Sequence, residues 1–280
     1  ARILLSLLAG SLVPLGLAPF NWWPLPVLSV ALWFLCLQST TPREAARLGF
    51  AFGCGLFGVG ASWIYFSIHD YGMTGPLLAS VITLVFVGFM ALYNGVQAWA
   101  WRRWCGNGAA SFAASWVLCE GFRAWFLTGF PWLFLGYAHV TSPFSGVAPV
   151  FGVYGVSLLV ALCAGWLGQL VATLQAAAPS QRAAIMLRAP STWGLLATTL
   201  LAAGSNLINW THSTDREPVR VALVQGNVPQ ELKFRAETLQ QGLDSYARLT
   251  APLWRSDLIV WPETAVPLIM QSEPELVDTL

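Results

Sequence analysis

The sequence predicts a polytopic α-helical membrane domain of about seven spans, followed by the start of an α/β domain. Three observations predict it. The 280 residues are 56% hydrophobic and only 10% charged, against about 25% charged in an ordinary soluble domain. The charge is also unevenly placed. Residues 1–210 hold eight Arg, no Lys and three acids, Glu44, Asp70 and Glu120, whereas residues 211–280 hold six basic and ten acidic residues. Finally, the apolar stretches recur at spacings suited to membrane crossings, and strand-like segments follow only after residue 211. The domains are therefore read as 1–210, transmembrane, and 211–280, the incomplete beginning of a second, water-exposed domain. The net charge of +1 averages two unlike parts, and no basic patch points to nucleic acid.

A helix needs roughly 20 apolar residues to cross a bilayer. Seven segments approach this: 3–19, 22–38, 45–67, 76–100, 109–127, 146–174 and 191–210. The first two are short. Pro14, Pro19, Pro24 and Pro26 mark them as a tight hairpin whose turn, Phe20-Asn21-Trp22-Trp23, has the composition of an interfacial anchor. A cleavable signal peptide over 1–19 is disfavoured, because further apolar segments follow at once. Arg2, Arg43 and Arg47, Arg102 and Arg103, and Arg182 and Arg188 fall on alternate connections, while 20–21, 68–75 and 128–145 hold no Lys or Arg. The positive-inside rule then sets the N-terminus in the cytoplasm and residues 211–280 on the opposite side.

Within the third segment Gly49, Gly53, Gly55, Gly58 and Gly60 predict close helix packing. Glu120 and Arg123 lie three apart in the fifth. They predict an ion pair beneath the following loop, with a phospholipid headgroup contact for Arg123 as the alternative. Phe130, Trp132, Phe134 and Tyr137 make that loop apolar, suited to interfacial anchoring or to covering a site at the membrane surface. The five Cys have no metal-ligand spacing and read as small buried hydrophobes. His69, His139 and His212 are scattered and read as ordinary interfacial histidines.

In the last 70 residues, 219–225 alternates and predicts a strand ending at Gly226. Residues 236–249 place Leu239, Leu243, Tyr246 and Leu249 on one helical face, and 257–261 predicts a buried strand. Strand, helix and strand imply a parallel, right-handed βαβ unit, with a further helix from Pro274 to Leu280. Such a unit is too small to cover both faces of its sheet. Ligands of parallel sheets bind at the carboxyl ends of the strands. Glu263 lies there, carried past the second strand by Pro262, and partial desolvation by Trp261, Pro262 and Ala265 would suit it to general-base work.

Three segments carry a resemblance. Val224-Gln225-Gly226-Asn227-Val228-Pro229-Gln230, Ile259-Val260-Trp261-Pro262-Glu263-Thr264-Ala265 and Leu127-Thr128-Gly129-Phe130-Pro131-Trp132-Leu133 resemble the apolipoprotein N-acyltransferases. These are membrane members of the carbon–nitrogen hydrolase (nitrilase-like) superfamily, and the resemblance extends over essentially the whole chain. It implies a bacterial inner-membrane enzyme with a periplasmic α-β-β-α domain. Its acyl donor would be a membrane phospholipid, and its acceptor the α-amino group of a diacylglyceryl apolipoprotein. The superfamily uses a Glu–Lys–Cys triad with an acyl thioester and no cofactor. Glu263 matches the triad Glu. The Lys and Cys are expected downstream of Leu280, and Lys233, which precedes the motif, is not assigned the role. Phe234 stands where the family often has Trp and retains an aromatic near the substrate; Trp132 and Arg123 complete the expected substrate contacts. A non-catalytic membrane protein, a transporter or an assembly scaffold, is the alternative. It would lead one to expect internal repeats and more polar residues within the spans.

Overall fold

The computed structural model describes residues 1–212, 217–229 and 236–266, and of 236–239 the backbone. The chain divides into two compact units, Ala1–Thr211 and His212–Leu280.

The first unit is helical: α1 Arg2–Leu12, α2 Pro24–Leu37, α3 Pro42–Gly60, α4 Trp63–Phe66, α5 Pro76–Ala100, α6 Ala109–Trp125, α7 Ala148–Ala176, α8 Arg182–Arg188 and α9 Pro190–Ser205. A helix occupies each of the seven apolar segments. By length and composition, however, two stretches among the described residues reach a bilayer crossing, Pro76–Cys105 and Ser145–Ala176. Pro42–Gly60 joins Trp63–Tyr71 at a 53° bend and makes a third if the pair is one span; Arg2–Gly16 and Pro24–Leu37 are shorter apolar helices. Much of the outer surface is apolar. Leu77, Leu84, Val85, Leu118 and Leu200 are all exposed, a pattern consistent with a membrane protein.

Local sequence explains the ends of the helices. Thr41, Pro42 and Glu44 start α3 with a capping box: Glu44 N–H donates to Thr41 Oγ1 (3.3 Å) and Thr41 N–H donates to Glu44 Oε2 (2.8 Å). Gly152 interrupts α7 with φ +60° and ψ −163°, a conformation a Cβ would obstruct. The glycines of α3 do what their spacing predicts. A Cβ on Gly49 or Gly53 would run into the α5 backbone at Asn94 and Ala91, and one on Gly55 would meet Leu7 O of α1. The two helices flanking α3 thus approach at backbone distance. Gly60 instead accommodates Leu133, and Gly58 makes no close approach.

The core of this unit is aromatic. Trp33 of α2 stacks on Phe52 of α3 at 4.4 Å and meets Phe112 and Trp116 of α6 edge-on at 5.5 and 5.7 Å. Edge-to-face and offset contacts of this kind add to the burial term.

In the second unit β1 (Val221–Leu223) and β2 (Leu258–Val260) pair in parallel, Val221 with Leu258 and Leu223 with Val260. Helix α10 (Ala236–Thr250) connects them. The βαβ order is as expected, but both strands are shorter than predicted. The strand expected to be buried is not: Leu258 and Val260 are 50% and 40% exposed. Among the described residues the sheet has two strands, too few to cover itself. The buried face of α10 also differs. Tyr246 and Thr250 are buried while Leu249 is 39% exposed, because Trp261 Nε1 donates to Thr250 Oγ1 (2.9 Å) and draws that residue inward. The expected helix at 274–280, Lys233 and Phe234 lie outside the described residues.

Candidate functional site

Two constellations, one in each unit, carry the residues expected from sequence. The first is the loop after α6. Its backbone is unusual: Leu127, Thr128 and Leu133 have φ of +51°, +72° and +61°, and Gly129 has +81°. Non-glycine residues in this region cost roughly 1–3 kcal/mol each and persist only where the surroundings hold them. Arg123 and Glu120 supply the hold. Arg123 Nη1 donates to the carbonyls of Phe130 (2.9 Å) and Trp132 (2.6 Å), and Phe130 N–H donates back to Arg123 O (2.9 Å). The guanidinium lies over the rings of Phe134 and Phe57, 4.7 and 5.2 Å from their centroids. Glu120 Oε1 accepts from Leu135 N–H (2.7 Å) and from the Trp116 indole (2.9 Å). Its other oxygen makes no hydrogen bond within 3.5 Å, and the Ser157 hydroxyl of α7 accepts Gly136 N–H (2.8 Å).

This geometry corrects two expectations. Glu120 and Arg123 do not close on each other as an ion pair within 4 Å, since neither is in one of the described salt bridges, His69–Asp70 and Arg220–Asp257. Each instead grips the loop backbone. Nor does Arg123 snorkel toward a headgroup; it is 4% exposed and enclosed by rings. Trp132 is placed as the loop's apolar composition suggests: 54% exposed, stacked on Phe130 at 5.4 Å and leaning on Trp63 at 6.5 Å.

The same loop contains a device the sequence did not reveal. His139, read as interfacial, is fully buried beside Trp23 and Phe144, with ring centroids at 6.2 and 5.2 Å. Its Nδ1 lies 3.1 Å from Ser142 Oγ, and its Nε2 has no hydrogen-bond partner. Burial lowers its pKa from 6.5 to about 4. Only the position of a lone polar residue in an aromatic-rich loop hinted at this.

The second constellation is the carboxyl end of the β1–β2 pair. The chain leaves both strands there through left-handed residues, Asn227 after β1 (φ +48°) and Thr264 after β2 (φ +56°). Pro262, Glu263, Thr264 and Ala265 form a turn closed by Ala265 N–H donating to Pro262 O (3.2 Å). Glycine would be the easy residue at a left-handed turn position, and a β-branched Thr is costly. The Glu263 side chain is exposed, so the expected desolvation by Trp261, Pro262 and Ala265 is not observed in the described residues. Behind the turn, Trp261 stacks on Tyr246 at 5.1 Å. A Cβ on Gly226 would come within 2.8 Å of the Tyr246 hydroxyl oxygen. The glycine, tyrosine and tryptophan therefore fix both strand ends against α10. At the opposite end, Arg220 N–H and side chain bind Asp257 (2.8 and 3.4 Å), holding the Asp257 carboxyl below the usual range.

Comparison with known proteins gives this arrangement a family. The profile of the apolipoprotein N-acyltransferase N-terminal domain matches residues 9–166. Proteins named apolipoprotein N-acyltransferase are similar along nearly the whole chain. That of Azotobacter vinelandii is 44% identical over 278 residues, covering 96% of this chain and 52% of the relative. The Pseudomonas syringae pv. tomato protein is 41% identical over 275 residues, 96% and 53%. The Methylococcus capsulatus protein is 36% identical over 282 residues, 98% and 53%. The chain thus spans about half the length of the curated relatives it matches. With the profile covering more than half of the 280 residues, the chain belongs to the apolipoprotein N-acyltransferase family, whose N-terminal part it represents.

Proposed function

We propose that this chain is the membrane domain and the first βαβ unit of a phospholipid:apolipoprotein N-acyltransferase of the bacterial inner membrane. In this reading residues 1–210 cross the membrane seven times from a cytoplasmic N-terminus, and residues 211–280 begin a periplasmic nitrilase-like domain. Glu263 is the general base. The observation that carries the proposal is the Trp261-Pro262-Glu263 turn, strained at Thr264 and set at the carboxyl end of a parallel strand pair.

Glu263 takes the proton of a cysteine thiol. The thiolate attacks an ester carbonyl of the phospholipid; the acyl C–O bond breaks, and the lysophospholipid alkoxide leaves with the proton from Glu263. The amine of the diacylglyceryl cysteine then attacks the thioester. Its proton passes to Glu263, the C–S bond breaks, and an amide and the free thiolate result. The Lys and Cys of the triad have no match within residues 1–280. Trp132, exposed on its loop, is assigned a contact with the substrate. Arg123 acts through the loop it holds and is a positioning residue, and Phe234, outside the described residues, is assigned a substrate contact from the resemblance alone.

The test uses the full-length protein in phospholipid vesicles with Glu263→Gln. Loss of a general base costs about 10²–10⁴-fold in rate. The variant should fold, bind phospholipid and fail to accumulate a hydroxylamine-labile acyl adduct. Normal acyl transfer would remove Glu263 from the role.

A further inference from the structure

Two apolar grooves flank α5: the first runs from Trp104 at the Arg-bearing end of the first unit to Phe126, just before the Phe130–Trp132 loop, and the second lies toward the Arg-bearing end. α5 and α6 touch little along their length. The groove between them has a volume of about 550 Å³ and is walled by Phe89, Tyr93 and Trp104 of the α5 side and Ala114, Leu118 and Phe122 of α6. From Phe89 to Trp104 a helix rises about 22 Å, the scale of an extended fatty-acyl chain. On the other face of α5 a second groove, also about 550 Å³, is bounded by Ile3, Arg47, Phe50, Gly95 and Trp99. Leu92 and Val96 line both, so they form the ridge between them. Trp99 and Trp104 meet edge-on at 4.9 Å over that ridge, one facing each groove.

The charges at this end are mostly cationic. Arg47 lines the second groove, and Arg103, next to Trp104, is exposed. Among the described residues neither makes a hydrogen bond or ion pair. Arg102 is different, because its Nε and Nη2 donate to Thr40 O (3.1 and 2.8 Å). Glu44, which feels Arg47 only at longer range, is held by the capping box.

We infer that this end of the protein binds one diacyl anionic phospholipid astride α5, an acyl chain in each groove and the acidic headgroup between Arg47 and Arg103. Paired grooves of equal volume select two chains, and two free guanidinium groups select a negative headgroup. This lipid is a resident ligand, distinct from an acyl donor, because the grooves' charged end lies at the start of α6 and the Phe130–Trp132 loop follows its end. The inference stands independently of the proposed catalytic role of Glu263.

Native mass spectrometry of the full-length protein in detergent tests it, titrating dipalmitoyl phosphatidylglycerol, dipalmitoyl phosphatidylcholine and palmitoyl lysophosphatidylglycerol. One discrete diacyl phosphatidylglycerol adduct is expected, tighter than the other two. Each Arg near a headgroup is worth about a factor of 5. Arg47→Gln with Arg103→Gln should therefore lower phosphatidylglycerol affinity about 30-fold, to the level of phosphatidylcholine. Ala114 is exposed, so Ala114→Trp fills the first groove without disturbing the core and should weaken both diacyl lipids. The idea is overturned by a smear of exchanging lipids with no discrete adduct, by equal binding of the lyso lipid, or by unchanged affinity in both variants.

Discussion

Replacing Arg123 by Leu removes the group that holds the Phe130–Trp132 loop, and its cost follows from the contacts. Nη1 makes two charge-assisted hydrogen bonds, to Phe130 O and Trp132 O, each worth about 1.5–3 kcal/mol. The leucine recovers part of the packing on Phe57 and Phe134 but leaves two carbonyls without their donor. Breaking a buried charged arrangement from one side typically costs about 3–5 kcal/mol, and we expect that for Arg123→Leu. Arg123→Lys keeps the charge and can reach one carbonyl well, so about half of that loss is expected. The assay is equilibrium unfolding of the full-length protein in mixed micelles titrated with sodium dodecyl sulfate, paired with chymotrypsin cleavage after Trp132. Loop cleavage should accelerate in Arg123→Leu before global unfolding does. A loss below about 1 kcal/mol with unchanged cleavage would refute the clamp.

Three further outcomes are expected. His139 stays neutral in the fold down to about pH 4 but protonates near 6.5 once exposed. Its folded pKa is depressed, so its contribution is complete above pH 6.5 and lost as pH falls toward 4. His139→Phe should flatten that part of a stability–pH curve, and a loss of stability there unchanged by the substitution would assign it to another group. Asp257, whose folded pKa is lowered by Arg220, contributes above about pH 4 and loses its contribution as pH falls through the folded value. Asp257→Asn should therefore show fast amide hydrogen exchange at Leu258 and Val224 at neutral pH, as the wild type does only in acid. Gly129→Ala combines a positive φ with a Cβ directed at Ala124 O; a loss of about 1–3 kcal/mol and faster loop cleavage are expected, read by the same unfolding and protease assays.

Much of the architecture is legible in the chain alone because its signals are local. Apolar length located the helices, and the glycines of α3 announced close helix packing. Val221–Leu223 and Leu258–Val260 carry β-branched and aliphatic runs separated by a helix, which suffices to order them in parallel. The Trp261-Pro262-Glu263 turn is likewise a short-range feature.

What the sequence could not supply are relations between residues brought together by the chain's path. Spacing of three on a helix suggested that Glu120 and Arg123 face each other; the left-handed backbone at 127–129 and 133 instead folds the loop back onto the helix end, where its unpaired amide and carbonyls outcompete the partner side chain. His139 is buried because Trp23, far away in sequence, closes over it. Thr250 turns inward because Trp261 needs an acceptor. The groove between α5 and α6 exists because α5 packs tightly on α3 and loosely on α6, a difference set by small residues on α3. Local sequence thus determined which segments become helix and strand, since hydrogen bonding and burial periodicity act within a few residues. The tertiary structure decided which polar groups are spent on the backbone and which remain free, since that depends on neighbours the local pattern does not specify.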